Sequence, residues 1–434
     1  MTRQVSSFAG TLFACVALFA IAGVSLATAQ TETVIHSFQS SSGTDGSSPF
    51  GGVVADGTGA LYGTAQSGGK YRQGAVYKLS PPTTQGGVWK QNILYSFQGV
   101  EYEDGSSPMG NLVLSKSGKI YGTTASGGQY GDGAVFELSP PTQAGKPWTE
   151  TIIYSFMSSD GSVEPYYGLT AGTGGRLYGT TFSGGRDNAG FVFALSPPSQ
   201  LGTPWTEATL YNFRDFNGSN SGGASGVILD ASGNIYGTTF YGGVAYQLVP
   251  PSGGKGAWTE NILYTFSGEP GPTGLVFGSA GSLYGATLEG GQFGAGTVYQ
   301  LSPPTTQGGA WTEQVLYSFG GVSGDSLNPI TSLLLDSAGA LYGASENGPD
   351  SCGEGLYYYC GTVFKVSPPS TQGGSWTEQV LHSFTGGTDG AYIQTPVLVL
   401  GTTVYGTTLE GGTGFCENEN GPAGCGTVFQ ITQP

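Results

Sequence analysis

The residues of this chain that could do chemistry recur at one place in a repeated segment. After a closing phenylalanine come Asp45-Gly46-Ser47, Asp104-Gly105-Ser106, Asp160-Gly161-Ser162, Asn217-Gly218-Ser219, Asp325-Ser326 and Asp389-Gly390. Brought together by the fold, such carboxylates could hold Ca2+ or bind a cationic or polyhydroxy ligand. The competing and commoner cause is turn chemistry, since Asp and Gly are what tight turns use. One segment offers only Glu269-Pro270-Gly271, and no single loop carries an EF-hand-like calcium pattern. Asp45, Asp104, Asp160, Asn217, Asp325 and Asp389 are therefore the candidate ligand-binding residues, with Ca2+ the one cofactor that the pattern suggests.

Other chemistries find less support. The two histidines, His36 and His382, occupy the position held elsewhere by Tyr95, Tyr154, Tyr211, Tyr264 and Tyr317. They read as core variants, so a Ser-His-Asp mechanism has no convincing base. A paired-carboxylate hydrolase stays open because acids are plentiful, but repetition singles out no two of them. Trp89, Trp148, Trp205, Trp258, Trp311 and Trp376 could stack sugars, yet six copies at one position point to packing. No P-loop or dinucleotide fingerprint lies in a strand–helix context.

The cysteines allow a sharper reading. Cys360 and Cys425 each stand just before Gly-Thr-Val-Phe, and Cys352 and Cys416 lie shortly upstream. Proximity favours the pairs Cys352–Cys360 and Cys416–Cys425, each closing a loop in an oxidising compartment. A zinc site of all four is the rival, but their spacings do not make paired Cys-x-x-Cys knuckles.

The elements that position these residues are set by a period. Tyr62-Gly63-Thr64, Tyr121-Gly122-Thr123, Tyr178-Gly179-Thr180, Tyr236-Gly237-Thr238, Tyr284-Gly285-Ala286, Tyr342-Gly343-Ala344 and Tyr405-Gly406-Thr407 follow one another at intervals of 59, 57, 58, 48, 58 and 63 residues. Stacked units of this size cannot bury their apolar faces alone. Each unit reads as four strands. The first is a short apolar run such as Gly110-Asn111-Leu112-Val113-Leu114, expected to be buried on both faces. A turn such as Asp230-Ala231-Ser232-Gly233 leads to the second, the Tyr-Gly-Thr phrase. The third, such as Ala134-Val135-Phe136-Glu137-Leu138, ends in six units at a proline pair, which cannot donate to a ladder. The fourth, Trp311 to Phe319 and its kin, mixes polar and apolar residues and suits a half-solvated outer position.

Four-stranded units repeated radially make a β-propeller. The chain ends support closure. Thr33-Val34-Ile35-His36-Ser37-Phe38 is a fourth strand without the first three, and Gly426-Thr427-Val428-Phe429-Gln430-Ile431 is a third without a fourth. The expected fold is all-β: a seven-bladed β-propeller over residues 30–434, its last blade completed by the N-terminal strand. The pattern of Gly-Leu-Val, Leu-Tyr-Gly-Thr-Thr, Gly-Gly, Gly-Thr-Val-Phe, Ser-Pro-Pro, Trp-Thr-Glu and Leu-Tyr-Ser-Phe resembles the GloVer tandem repeat over residues 31–434. That resemblance implies an exported bacterial repeat protein with no established activity. Many members carry a C-terminal surface anchor; none is expected here. Unit four departs from the pattern, because Gly242-Gly243 runs almost directly into Val244-Ala245-Tyr246.

Residues 1–29 read as a secretory signal: Arg3, an apolar run from Leu12 to Leu26, and Ala27-Thr28-Ala29 at the cleavage positions. Cys15 reads as part of that apolar run rather than of a lipobox. No transmembrane anchor is expected in the mature chain. The net charge of −16 excludes nucleic acid as a natural partner. The loops entering the first strand and those joining second to third should emerge on one face, and they hold 19 acids against four bases, a balance of −15. Such a face focuses cations and repels polyanions. The expected function is a secreted, monomeric, non-enzymatic binding or display scaffold for a glycan, protein or cationic ligand on that acidic face. A carbohydrate-active hydrolase or lyase using the same carboxylates is the alternative. The irregular loops 345–360 and 409–425 are where unique residues are first sought.

Overall fold

The computed structural model describes residues 30–40, 43–84, 86–157, 163–200, 202–214, 223–268, 271–306, 308–348, 360–418, 421–422 and 424–433. Asp160, Asn217 and Cys352 lie outside them. Seven antiparallel sheets are arranged as blades in a ring, six of them with four strands, in sequential order save where the chain ends meet, and a small hairpin pairs Glu417–Asn418 with Gly421–Pro422. Blade one is Val54–Ala55, Leu61–Ala65, Ala75–Ser80 and Lys90–Ser96. Blade six carries one extra short segment, Leu327–Pro329, against its second strand. In blade seven the first strand of the chain, Thr31–Ser37, pairs antiparallel with the last, Thr427–Thr432. The ring is closed as the matching half-units require.

Each word of the Tyr-Gly-Thr phrase has its own physical cause. The tyrosine hydroxyl donates to the aspartate of its own hairpin turn: Tyr62 to Asp56 at 2.9 Å, and Tyr236 to Asp230 and Tyr342 to Asp336 at 3.2 Å. Burial works against the Asp56 carboxylate, but hydrogen bonds from Thr58, Tyr62 and Ala60 outweigh it and bring its pKa down to about 2. The glycine makes room for a ring on the third strand. A Cβ at Gly179 would stand 2.5 Å from Phe193, and one at Gly406 would stand 2.4 Å from Phe429. The threonine locks neighbouring blades. Thr180 Oγ1 donates to the Ser225 carbonyl at 3.0 Å and Thr238 Oγ1 to the Thr273 carbonyl at 2.8 Å, each in the next blade.

The core lies between blades. One cluster joins Tyr62, Leu94 and Phe97 of blade one to Leu112, Ile120 and Phe136 of blade two. Another joins Ile35, Phe38 and Val428 of blade seven to Val53, Leu61 and Tyr77 of blade one, across the closure. The six tryptophans pack half-buried against these clusters. Trp89 meets Tyr405 of the preceding blade edge-on, with ring centroids 6.1 Å apart, and Trp205 meets Tyr121 at 5.8 Å. They serve as inter-blade packing.

Two features differ from expectation. The first strands are not buried on both faces: Val54–Ala55, Ile228–Leu229 and Val276–Phe277 are only half-buried. They are the end strands of their sheets, with a paired strand on one side only. The strands covered on both faces are the second ones, such as Leu61–Ala65. The outer strand of every blade also carries a β-bulge. In blade one, Val76 pairs with Tyr95 and Tyr77 with Ile93, so that Leu94 is the extra residue; the other six repeat this. A bulge re-aims the side chain beside it, here the tyrosine or histidine that follows.

Candidate functional site

That re-aimed residue meets the repeated aspartate. Tyr95 donates to Asp104 Oδ2 at 2.8 Å, and the Gln98 and Gly105 amides donate to the same carboxyl at 2.7 and 2.6 Å. Tyr317 donates to Asp325 Oδ1 at 2.9 Å and the Gly321 amide to Oδ2 at 3.0 Å. Asp389 accepts from the amide and hydroxyl of Thr385 and stands 3.4 Å from His382 Nε2. Asp45 accepts from the Gln39 amide at 3.0 Å. The four described carboxylates therefore cap the turns that leave the outer strands, as turn chemistry requires. Asp104 and Asp325 are buried. None of the four lines the axial opening. Among the described residues, no group of three or more His, Cys, Asp or Glu side chains comes close enough to hold a metal ion.

At two junctions the same corner joins a blade to the next through the glutamate of the Trp-Thr-Glu phrase, which accepts from the preceding blade's tyrosine: Tyr211 donates to Glu260 at 2.7 Å and Tyr264 to Glu313 at 2.8 Å. In blade six, Glu378 Oε1 accepts from the Ser326 amide at 3.2 Å. Burial, and after it the hydrogen-bonded Asp325 carboxyl, pushes the Glu378 pKa up to about 8. Burial and then the Asp104 charge do the same to Glu150, also to about 8. In blade six the hydrogen-bonded Glu378 and Asp325 carboxyls cannot both ionise cheaply. The histidines take the tyrosine position in this arrangement. His36 lies edge-on to Phe38 and His382 edge-on to Phe384, each 4.7 Å between centroids. Burial holds the His36 pKa down.

The disulfide Cys416–Cys425 forms, with a Cα–Cα distance of 5.1 Å, and both cysteines are buried. Cys360 is also disulfide-bonded, while Cys352 lies outside the described residues. Among the described residues no helix is long and apolar enough to cross a membrane.

Besides hollows on its flank and loop face, among them one of about 390 Å3 beside Trp205 and one of about 450 Å3 beside Tyr102, the ring leaves space on its axis. Two adjoining hollows, of about 370 and 180 Å3, share Tyr167, Ile330, Ser332, Gln394 and Pro396 and form one funnel. Its walls come from the segments entering the first strands and from the ends of the second strands in blades three and four. The funnel thus opens on the face that carries the acidic loops. Among the described residues the walls themselves are uncharged: aromatic rings, the amides of Asn111 and Gln394, and small hydroxyls. The larger hollow lies within the range of small-molecule sites, roughly 300–1,000 Å3. Rings run continuously along one flank. Tyr166 and Phe182 are 5.6 Å apart by centroid, Phe182 and Tyr241 5.9 Å, and Phe240 and Tyr241 5.2 Å. Tyr167 is 40% exposed and Tyr241 51%. Yet burial, with Tyr241 nearby, pushes the Tyr167 pKa up to about 12.

Reading the repeats for shared residues passes over this flank, because its residues are the ones not shared. Two residues before the buried apolar residue of each first strand, the other blades carry Gly51, Gly110, Ser225, Thr273, Thr331 and Thr395; blade three carries Tyr167. Four residues after the Tyr of Tyr-Gly-Thr, blades three and four carry Phe182 and Phe240, against Gln66, Ala125, Leu288, Glu346 and Leu409. A comparison of blades position by position, seeking outliers, is the signal that finds them. Of the irregular loops 345–360 and 409–425, residues 349–359, 419–420 and 423 lie outside the described residues.

Solved structures share the architecture. A catalytically inactive virginiamycin B lyase from Staphylococcus aureus, solved with quinupristin, is 12% identical with a TM-score of 0.53, covering 93% of this chain and 99% of its own. A protein from Lactobacillus plantarum is 14% identical with a TM-score of 0.54, covering 86% and 98%. At such identity the likeness shows the fold alone. No curated protein matches the sequence significantly. The Gloeobacter/Verrucomicrobia repeat matches residues 10–249 and again 242–434, which together span the propeller; the chain belongs to the Gloeobacter/Verrucomicrobia repeat family.

Proposed function

We propose that this protein is a binding scaffold that acts outside the cytoplasm and releases its ligand unchanged. Residues 1–29 direct export, and the buried Cys416–Cys425 bridge suits an oxidising compartment. Recognition takes place on the loop face where the funnel opens, and the ligand is a glycan or protein met there. The acidic loops around the mouth attract cationic partners and turn polyanions away.

One observation carries this reading. The repeated polar residues are engaged in holding the ring, as Asp104 is by Tyr95, while the unshared, solvent-reachable residues gather in an uncharged concave funnel. A rigid scaffold with variable residues at its loop face is the ordinary arrangement for recognition. Hydrolysis of a glycoside would need two carboxyls flanking the bond, and among the described residues none that lines the funnel is an acid.

The test is a glycan and protein array probed with the exported chain, with and without Ca2+, followed by thermal shift and product analysis on each hit. Retention of an unmodified ligand supports the reading. Release of cleaved products, or silence of every array, overturns it.

A further inference from the structure

The ring has sevenfold repetition, but its funnel does not. Only blade three places a large side chain, Tyr167, where its sisters have Gly, Ser or Thr, and only blades three and four place phenylalanines, 182 and 240, at the rim. Blade four is also cut back at this point. Four residues, 240–243, join its second and third strands, against nine, 288–296, in blade five. The Gly243 amide closes that short turn on the Thr239 carbonyl at 3.0 Å. The shortened hairpin leaves Tyr241 uncovered beside Phe182.

We propose that this flank, with Tyr167, Phe182, Phe240 and Tyr241 lining one hollow together with Gln394 and Ser332, binds the end of a neutral saccharide chain. The inference rests on the binding-scaffold reading and narrows it to one site and one ligand class. Three properties of the hollow select the class. Its rings stand inclined to one another, at 73° between Phe182 and Tyr241 and 87° between Phe240 and Tyr241. They make a faceted apolar wall onto which the C–H faces of pyranose rings can be laid, the amphipathic body and polar tip of tyrosine serving both faces and hydroxyls. The opposite lining offers an amide and a hydroxyl, which donate and accept and so match sugar hydroxyls of either orientation. Among the described residues the walls carry no charged side chain to pair with a charged ligand, and the acidic loops outside repel an anionic one.

The sister blades supply substitutions that the fold already tolerates. Tyr167→Gly introduces the residue of blades one and two, and Phe240→Leu that of blades five and seven. The exported chain is titrated calorimetrically with cellohexaose, xylohexaose, maltohexaose and chitohexaose, and with polygalacturonate and hexalysine as charged controls. Saturation-transfer NMR on any complex reports which sugar protons lie against aromatic rings. At least one neutral oligosaccharide is expected to bind, with tenfold or greater weakening in each variant and parental melting temperatures. Tyr102→Ser, an exposed tyrosine on the same face outside the funnel, should leave binding unchanged. Neutral sugars that bind Tyr167→Gly and Phe240→Leu at parental strength overturn the site and leave the scaffold reading standing. Binding of the charged controls alone does the same. Cleavage of a sugar that needs Tyr167 and Phe240 keeps the site and removes the non-enzymatic reading. No binding of any probe overturns the site, and only silence of the wider arrays removes the scaffold reading as well.

Discussion

Gly179 lies against the ring of Phe193, so close that a Cβ there would stand 2.5 Å from Cζ and 2.8 Å from Cε1. The contact recurs between Gly122 and Phe136, Gly343 and Phe364, and Gly406 and Phe429. Steric room, rather than backbone freedom, explains this glycine, since it has no positive φ. Gly179→Ala should destabilise the protein by about 1–3 kcal/mol through overpacking. Urea denaturation measures it. Combining it with Phe193→Leu should recover part of the loss, because neighbours in contact are not additive.

Three blades carry tyrosine at the position of those phenylalanines. The hydroxyls of Tyr77, Tyr246 and Tyr299 are buried with no hydrogen-bond partner among the described residues. Burial drives their pKa values far up. Tyr299→Phe should therefore be neutral or stabilising by about 1 kcal/mol, the cost of an unmet buried hydroxyl being removed. A lower melting temperature in that variant would mean that the hydroxyl has a partner.

The paired carboxyls predict a pH dependence. In the folded state Glu150 and Glu378 hold their protons up to about pH 8, against an ordinary value of 4.5. Between those values the native state binds more protons than the unfolded chain, so stability falls as pH rises through that window. Melting temperature should decline from pH 5 to pH 8.5. Glu150→Gln and Glu378→Gln, which mimic the protonated acid, should each flatten the slope and raise the melting temperature at pH 8. A slope unchanged in the double variant would remove these two groups as its cause.

The Cys416–Cys425 bridge spans nine positions. Loop-closure entropy for so short a loop gives about 2.6 kcal/mol. Replacing both cysteines with alanine should lower stability by that order. It should also shrink the further drop that a reducing agent causes, which differential scanning calorimetry can separate from the contribution of Cys360.

Ring closure, blade number and the strand order of each blade were legible in the sequence. They depend on local patterns repeated seven times, and on half-units at the two ends that only a closed ring can complete. The sevenfold phrase was legible as structure, and its chemistry was consistent with that: Tyr62 bonds Asp56, and Thr238 bonds the next blade. The turn role of the aspartates was foreseen as one of two readings. The bulge at Leu94 was not foreseen, because an extra residue in a ladder is visible only against its partner strand. The bulge aims Tyr95 at Asp104, and the junction of blades brings Glu150 up beside them. Asp104, in the turn leaving blade one, and Glu150, in the outer strand of blade two, are far apart in sequence, so only the packed ring could bring their carboxyls near each other. The funnel was decided in the same way. Repetition hides a residue that departs from the repeat, and Tyr167, Phe182 and Tyr241 become one surface only because the ring turns successive blades toward a common axis.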